Sequence, residues 1–389
     1  MLLANAAAIR IFAIGISYIL NITILQISSK ETAGQYFLYL SWSSLISVIL
    51  IGGYSKYIVR ELAKESGYEN SLRKSSYKYL SIVLLSVIPI IIWTAYQKPE
   101  LAILVSTIPF IMYLAAESAF LRGKGKHFFG NIEGQIIRPA ITIMLIYLCL
   151  IFINEINIKK LLAIYAIGIF LCSILWFFLF FPKKTLPIKK SHKFNRNSII
   201  NLTTISFAEL AFIQLDIILL GFLMSHENIA EYKVALLIRM ALLIPQQAVL
   251  MVLPYLLAQD TDSPYKYYLR YINLSIGLTG LIVNLLLGEI LIGLVFGEEY
   301  YHVSGYLNPY FIMMICIGVI GPASEVLIAD QKDRIVRKAA IISIVVNSSI
   351  LILTVPSFGV YAAVFSGALS YVLFYIICYY YIMTTSKRF

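Results

Sequence analysis

Twelve stretches of this 389-residue chain are long and apolar enough to cross a bilayer as helices, and that pattern leaves little choice of fold. They run approximately over 3–27, 36–54, 79–96, 101–121, 136–153, 161–181, 199–223, 232–257, 270–296, 306–328, 338–355 and 358–382. A helix needs about 20 apolar residues to span the ~30 Å hydrocarbon core. A membrane barrel would instead need alternating segments of about 10 residues, and runs such as LSIVLLSVIPIIIW do not alternate. Charged residues make up only 13% of the chain, too few to coat soluble domains of this total length. A soluble enzyme is therefore excluded, and the expected fold is an all-α polytopic membrane protein.

The net charge of +11 reads as topology rather than as a nucleic-acid footprint. Cytoplasmic loops accumulate Lys and Arg, and with the amino terminus inside, 23 of the 31 cations fall in cytoplasmic segments. Only Lys30, Lys98, Lys159 and Lys160 fall outside, while Arg10, Arg138, Lys233 and Arg239 lie within spans. Both termini are expected in the cytoplasm, with MLLANAAAIR opening an uncleaved first helix. The external loops are short, GEEYYHVSG at 297–305 being among the longest, and leave no room for an external catalytic domain.

The basic, proline-bearing stretch at 182–198 divides the spans six and six. Internal similarity follows the same division: SKETAGQY at Ser29–Tyr36 matches SHENIAEY at Ser225–Tyr232, and Glu117, Lys124 and Lys126 match Glu325, Lys332 and Arg334. The expected organisation is an amino-terminal six-helix half, 1–181, a cytoplasmic linker, 182–198, and a carboxy-terminal half, 199–389. An even number of helices per repeat gives parallel repeats about an axis along the membrane normal. That arrangement suggests a transporter with a central cavity.

Enzyme and cofactor chemistry has no foothold. The cysteines, Cys149, Cys172, Cys316 and Cys378, stand singly in apolar helices. The histidines, His127, His192, His226 and His302, are far apart in loops, so neither a metal site nor a Ser-His-Asp site is expected. RGKGKHF lacks the spacing and hydroxyl of a phosphate-binding loop. The energy source is expected to be an ion gradient, with H+ or Na+ coupling, or the membrane potential.

Ionisable side chains at membrane depth cost at least ~2.5–3.5 kcal/mol on insertion scales and usually face a cavity or a partner. Arg10, Ser17 and Asn21 share one stripe of the first helix, at spacings of seven and four. Arg10 either faces the cavity or snorkels to the cytoplasmic surface. Glu209 and Asp216, also seven apart, are candidate ion-coupling carboxylates, the alternative being fixed pairs that hold helices together. Arg239 and Gln246, beside Gln247, form the polar face of helix 8. Arginine grips phosphate through a planar fork, so Arg10 and Arg239 are candidate phosphate contacts. A static salt bridge from Arg239 to an acid such as Glu209 is the other reading. Glu117 and Glu325, near cytoplasmic helix ends, are candidate gate residues or solvated helix ends.

Several blocks resemble the polysaccharide biosynthesis flippases of the Wzx type, within the multidrug/oligosaccharidyl-lipid/polysaccharide (MOP) exporter superfamily. They are helix 1 into SSKETAGQYFLYLSW, IGGYSKYIVRELAKE at 51–65, AFLRGKGKHFFGNIEGQIIRPA at 119–140, the stretch from Leu215 to Leu256 with Asp216 and Tyr232, and LVFGEEY at 294–300. NSSILILTVPSFGVYAAVFSGALS at 347–370 completes the set. The resemblance implies a bacterial inner-membrane flippase that moves an undecaprenyl-pyrophosphate-linked repeat unit of O-antigen or capsule by alternating access. It implies membrane lipids, a polysaccharide polymerase and a chain-length regulator as partners, and no nucleic acid. A cation-coupled drug exporter of the same fold is the alternative, distinguished by the sign of the cavity charge.

Overall fold

The computed structural model describes residues 2–64, 68–152, 156–180, 195–250, 265–329 and 332–385. Among them the chain is helical throughout, with no strand. The first half of the sequence forms α1 (Leu2–Ile27), α2 (Lys30–Ser47), α3 (Gly53–Lys64), α4 (Glu69–Gln97), α5 (Pro99–Gly123), α6 (His127–Ile132), α7 (Arg138–Phe152) and α8 (Ile158–Phe180). One π-helical turn, Val48–Gly52, joins α2 to α3, and another, Glu133–Ile137, joins α6 to α7. The second half forms α9 (Arg196–Leu223), α10 (His226–Leu250), α11 (Tyr265–Phe296), α12 (Asn308–Ile320), α13 (Ala323–Ala329) and α14 (Asp333–Thr385). Most of the expected linker, 182–194 of 182–198, lies outside the described residues.

Seven of the described helices are long and apolar enough to cross a membrane, or eight if a bent pair counts as one span. The chain is a multi-pass membrane protein. Its outward side chains say the same: Leu85, Trp93, Phe178, Leu286, Leu294 and Leu353 are largely exposed. Contiguous apolar surface of this kind suits a lipid solvent rather than water.

Two elements differ from the sequence expectation. The segment at 297–305, read as a loop, is a 3-10 helix over Glu298–Tyr306 with Tyr300, Val303 and Ser304 buried. It bends by 44° into α12. The expected single span at 306–328 is broken at Gly321, whose φ of 85° only glycine adopts readily, so α12 and the short α13 replace it. The stretch α14 is interrupted at Gly359, with φ 62° and ψ −144°, close to the boundary expected between the spans at 338–355 and 358–382. At 1.5 Å per residue, the 51 residues from Arg334 to Thr384 would be over twice as long as a ~30 Å core is thick. The Gly359 kink thus divides two crossings.

The chain groups into two compact units interleaved in sequence. One comprises Phe12–Ser28 and Gln35–Gln214. Its core packs Ile51, Tyr54, Ile58, Leu72, Met112 and Phe120 together. The other comprises Met1–Ile11, Ser29–Gly34 and Leu215–Phe389. In it the turn after α1 is held by charge: Lys30 Nζ lies 3.2 Å from Glu231 Oε1, which His302 Nε2 approaches to 2.8 Å.

A Cβ on residue 359 would make only ordinary contact with Met224, so any cost of substitution there comes from the backbone. Gly359→Ala should lower stability by about 1–3 kcal/mol, the cost of holding a non-glycine residue in that region. Gly15→Ala, where a Cβ meets nothing, should not. Thermal unfolding of the two variants in detergent distinguishes them.

Candidate functional site

The carboxy-terminal unit contains a buried polar cluster built on the heptad spacing of α10. Tyr232, Arg239 and Gln246 are each seven residues apart, so two helical turns separate neighbours on one face. All three are buried. Asp216 of α9, 3% exposed, accepts a hydrogen bond from the Tyr232 hydroxyl at 2.8 Å and another from Asn347 Nδ2 of α14 at 2.6 Å. Each carboxylate oxygen therefore has one neutral donor, and two oxygens with about four lone-pair positions retain capacity for a cation or proton.

Arg239 is 6% exposed, yet its guanidinium forms no ion pair among the described residues. It lies over the rings of Tyr310, at 5.7 Å, and Tyr371, at 5.8 Å. Its Nε has no hydrogen-bond partner among the described residues. A cation held by two aromatic faces keeps its in-plane donors available, and those donors suit a phosphate or carboxylate. Gly367 makes room for it: a Cβ there would stand 3.2 Å from Arg239 Nη1. One turn-pair further along α10, Gln246 Nε2 donates to the Tyr375 hydroxyl at 2.8 Å while its Oε1 has no partner among the described residues. The arrangement supplies an unfilled Nε donor at Arg239 and an acceptor at Asp216, in one buried cluster.

The amino-terminal unit holds a different kind of polar group. Glu117, 1% exposed, accepts from Arg73 Nη1 at 2.6 and 2.7 Å and from the Tyr77 hydroxyl at 2.9 Å. Arg73 Nε also donates to Glu69, which Lys124 reaches at 2.6 Å. Glu117 thus has the basic partner that sequence leaves open, and the network ties α4 to α5. On α1, Asn21 Nδ2 donates to the Ser17 carbonyl at 2.6 Å, so its amide is engaged within its own helix. The Ser17 hydroxyl makes only a long 3.5 Å approach to the Gln135 carbonyl. Arg10, Glu209 and Glu325 lie in α1, α9 and α13, and their side chains are outside the described set.

Sequence reasoning missed Asn347, Tyr310 and Tyr371 as members of the Arg239 cluster. It also missed Glu133, whose Oε1 receives Arg138 Nη2 at 2.6 Å and faces Cys172. Residues five apart do not share a face of an α-helix. The π-helical turn at Glu133–Ile137, with its i→i+5 repeat, brings them together.

No family model matches the sequence, and no curated protein matches it by sequence. Solved structures do match by fold. The lipid II flippase MurJ in an inward closed conformation matches with TM-score 0.76 at 16% identity, over 98% of this chain and 88% of that one. An inward-facing multidrug resistance MATE family transporter of the MOP superfamily matches with TM-score 0.71 at 13% identity, over 95% of each chain. The fold is that of MOP superfamily transporters. A further MOP superfamily transporter, from Pyrococcus furiosus and described as having a binding pocket of reverse polarity, matches with TM-score 0.64 at 12% identity over 98% of this chain and 94% of that one.

Removing one partner of a buried ion pair strands the other charge, at a cost of about 3–5 kcal/mol. Glu117→Ala should destabilise the protein by that order, and Glu117→Leu combined with Arg73→Met should recover much of the loss. Thermal unfolding of the single and double variants measures both.

Proposed function

We propose that the protein is a flippase for an undecaprenyl-pyrophosphate-linked oligosaccharide repeat unit, of O-antigen or capsule, and not an enzyme. The observation that carries this reading is Arg239: a membrane-buried cation with an unpartnered Nε, in a fold shared with a lipid II flippase. Burial makes charge-assisted hydrogen bonds to phosphate strong and an unfilled donor costly, so an anionic headgroup is the ligand chemistry that resolves it. Arg10, Ser17, Asn21 and Gln246 are assigned to the same substrate path, the first three on one stripe of α1 and the last beyond Arg239 on α10. Alternating access between the halves 1–181 and 199–389, joined by 182–198, would move the headgroup while the lipid stays in the bilayer.

Asp216, with Glu209, is assigned to H+ or Na+ coupling, since its carboxylate is surrounded by neutral donors and has acceptor capacity left. Glu117 and Glu325 are assigned to the cytoplasmic gate. The charge distribution supports a bacterial inner-membrane protein with both termini cytoplasmic. Polysaccharide polymerase and chain-length regulator would then act on the delivered substrate. The second reading is a cation-coupled exporter of the same fold, which the buried Asp216 carboxylate favours.

Deleting the gene should abolish the surface polysaccharide while lipid-linked repeats remain on the cytoplasmic face. Normal polysaccharide with new drug sensitivity would favour the exporter instead. Arg239→Ala should cut export by about 10- to 100-fold, the equivalent of one charged hydrogen bond, at unchanged protein level. If Asp216→Asn leaves transport equally responsive to external pH and Na+, the coupling assignment fails.

A further inference from the structure

A second cationic site lies away from the Arg239 cluster, where the two ends of α14 come together. A cavity of about 540 Å³ is lined by Lys332, Arg334, Lys338 and Ile342 together with Ile377 and Tyr381, and by the buried Ala339. Arg334, Lys338 and Ile342 are four residues apart in turn, so they form one stripe along the helix. The charges come first and the isoleucine one turn, about 6 Å, deeper. Across the cavity Ile377 and Tyr381 repeat the same order on the returning part of α14, with Lys332 Nζ 5.8 Å from the Tyr381 ring. The apolar wall continues outward into Ile341, Val345 and Ile352, all exposed. Residues 329–338 hold four cations against Asp330 and Asp333, so the region stays net positive.

The geometry points to a binding site for the headgroup of an anionic phospholipid, its phosphate among Lys332, Arg334 and Lys338 and an acyl chain along Ile342 and Ile377. A free phosphate would use the cations but not the apolar wall, and a neutral lipid would use the wall but not the cations. Only an anionic amphiphile satisfies both halves, and basic pockets between membrane helices bind such headgroups. Tyr381 marks the depth at which polar and apolar regions meet, where tyrosine is favoured.

The test is lipid binding to the full-length protein in detergent, read by native mass spectrometry during titration with phosphatidylglycerol or phosphatidylcholine. Phosphatidylglycerol should bind preferentially. Lys338→Gln and Arg334→Gln should each weaken it roughly five-fold, the equivalent of the ~1 kcal/mol that one cation contributes near an anionic surface. Lys338→Arg should retain binding, and Lys98→Gln, an exposed cation elsewhere, should leave it unchanged. Folding of each variant is confirmed by its thermal unfolding midpoint. Equal binding of both lipids, or no loss in Lys338→Gln and Arg334→Gln, would overturn the proposal. Displacement by equimolar soluble glycerol phosphate would also overturn it, by showing an anion site without a lipid component.

Discussion

Hydrocarbon offers no hydrogen bonds, so every backbone polar group this chain carries into the membrane has to find its partner inside the protein, and a polar side chain gains from doing so. That requirement explains the all-helical chain, since each helix satisfies its own backbone. It also explains the local habit of the small side chains, with Ser28, Ser41, Thr94 and Ser173 each bonding a carbonyl three or four residues back. The larger polar groups cannot be satisfied so locally, and their placement organises the two units.

The two units meet the same requirement in different ways. In the amino-terminal unit Arg73 and Glu117 neutralise each other directly, reinforced by Tyr77 and Glu69. A closed network of this kind has little left to offer a ligand. In the carboxy-terminal unit the opposite charges form no direct salt bridge among the described residues, with Asp216 receiving one neutral donor on each oxygen and Arg239 held over tyrosine faces. Leaving that bridge unmade preserves donor capacity on one and acceptor capacity on the other. Tyrosine is well suited to this role because its ring stabilises a cation without consuming the guanidinium donors.

Much of this was legible from spacing alone. The seven-residue interval between Arg239 and Gln246 placed both on one face, and the interior charges stood out against apolar runs. Legibility ended where the backbone departs from the α-helical repeat. Glu133 and Arg138 pair through a π turn that a 3.6-residue period separates, and Gly321 breaks what reads as a continuous apolar span. The 3-10 helix at Glu298–Tyr306 carries enough polar residues to read as a loop, yet it buries Tyr300.

The sequence by itself determined that this chain crosses the membrane many times as helices, which charges lie at depth, and which helix face carries them. Those properties follow from composition and local periodicity. Only the tertiary structure decided the partners: that Glu117 takes Arg73, that Asp216 takes Tyr232 and Asn347, and that Arg239 lies among Tyr310, Tyr371 and Gly367. Asp216 and Asn347 alone lie 131 residues apart. Helix packing brings them together, and no local pattern records which face meets which.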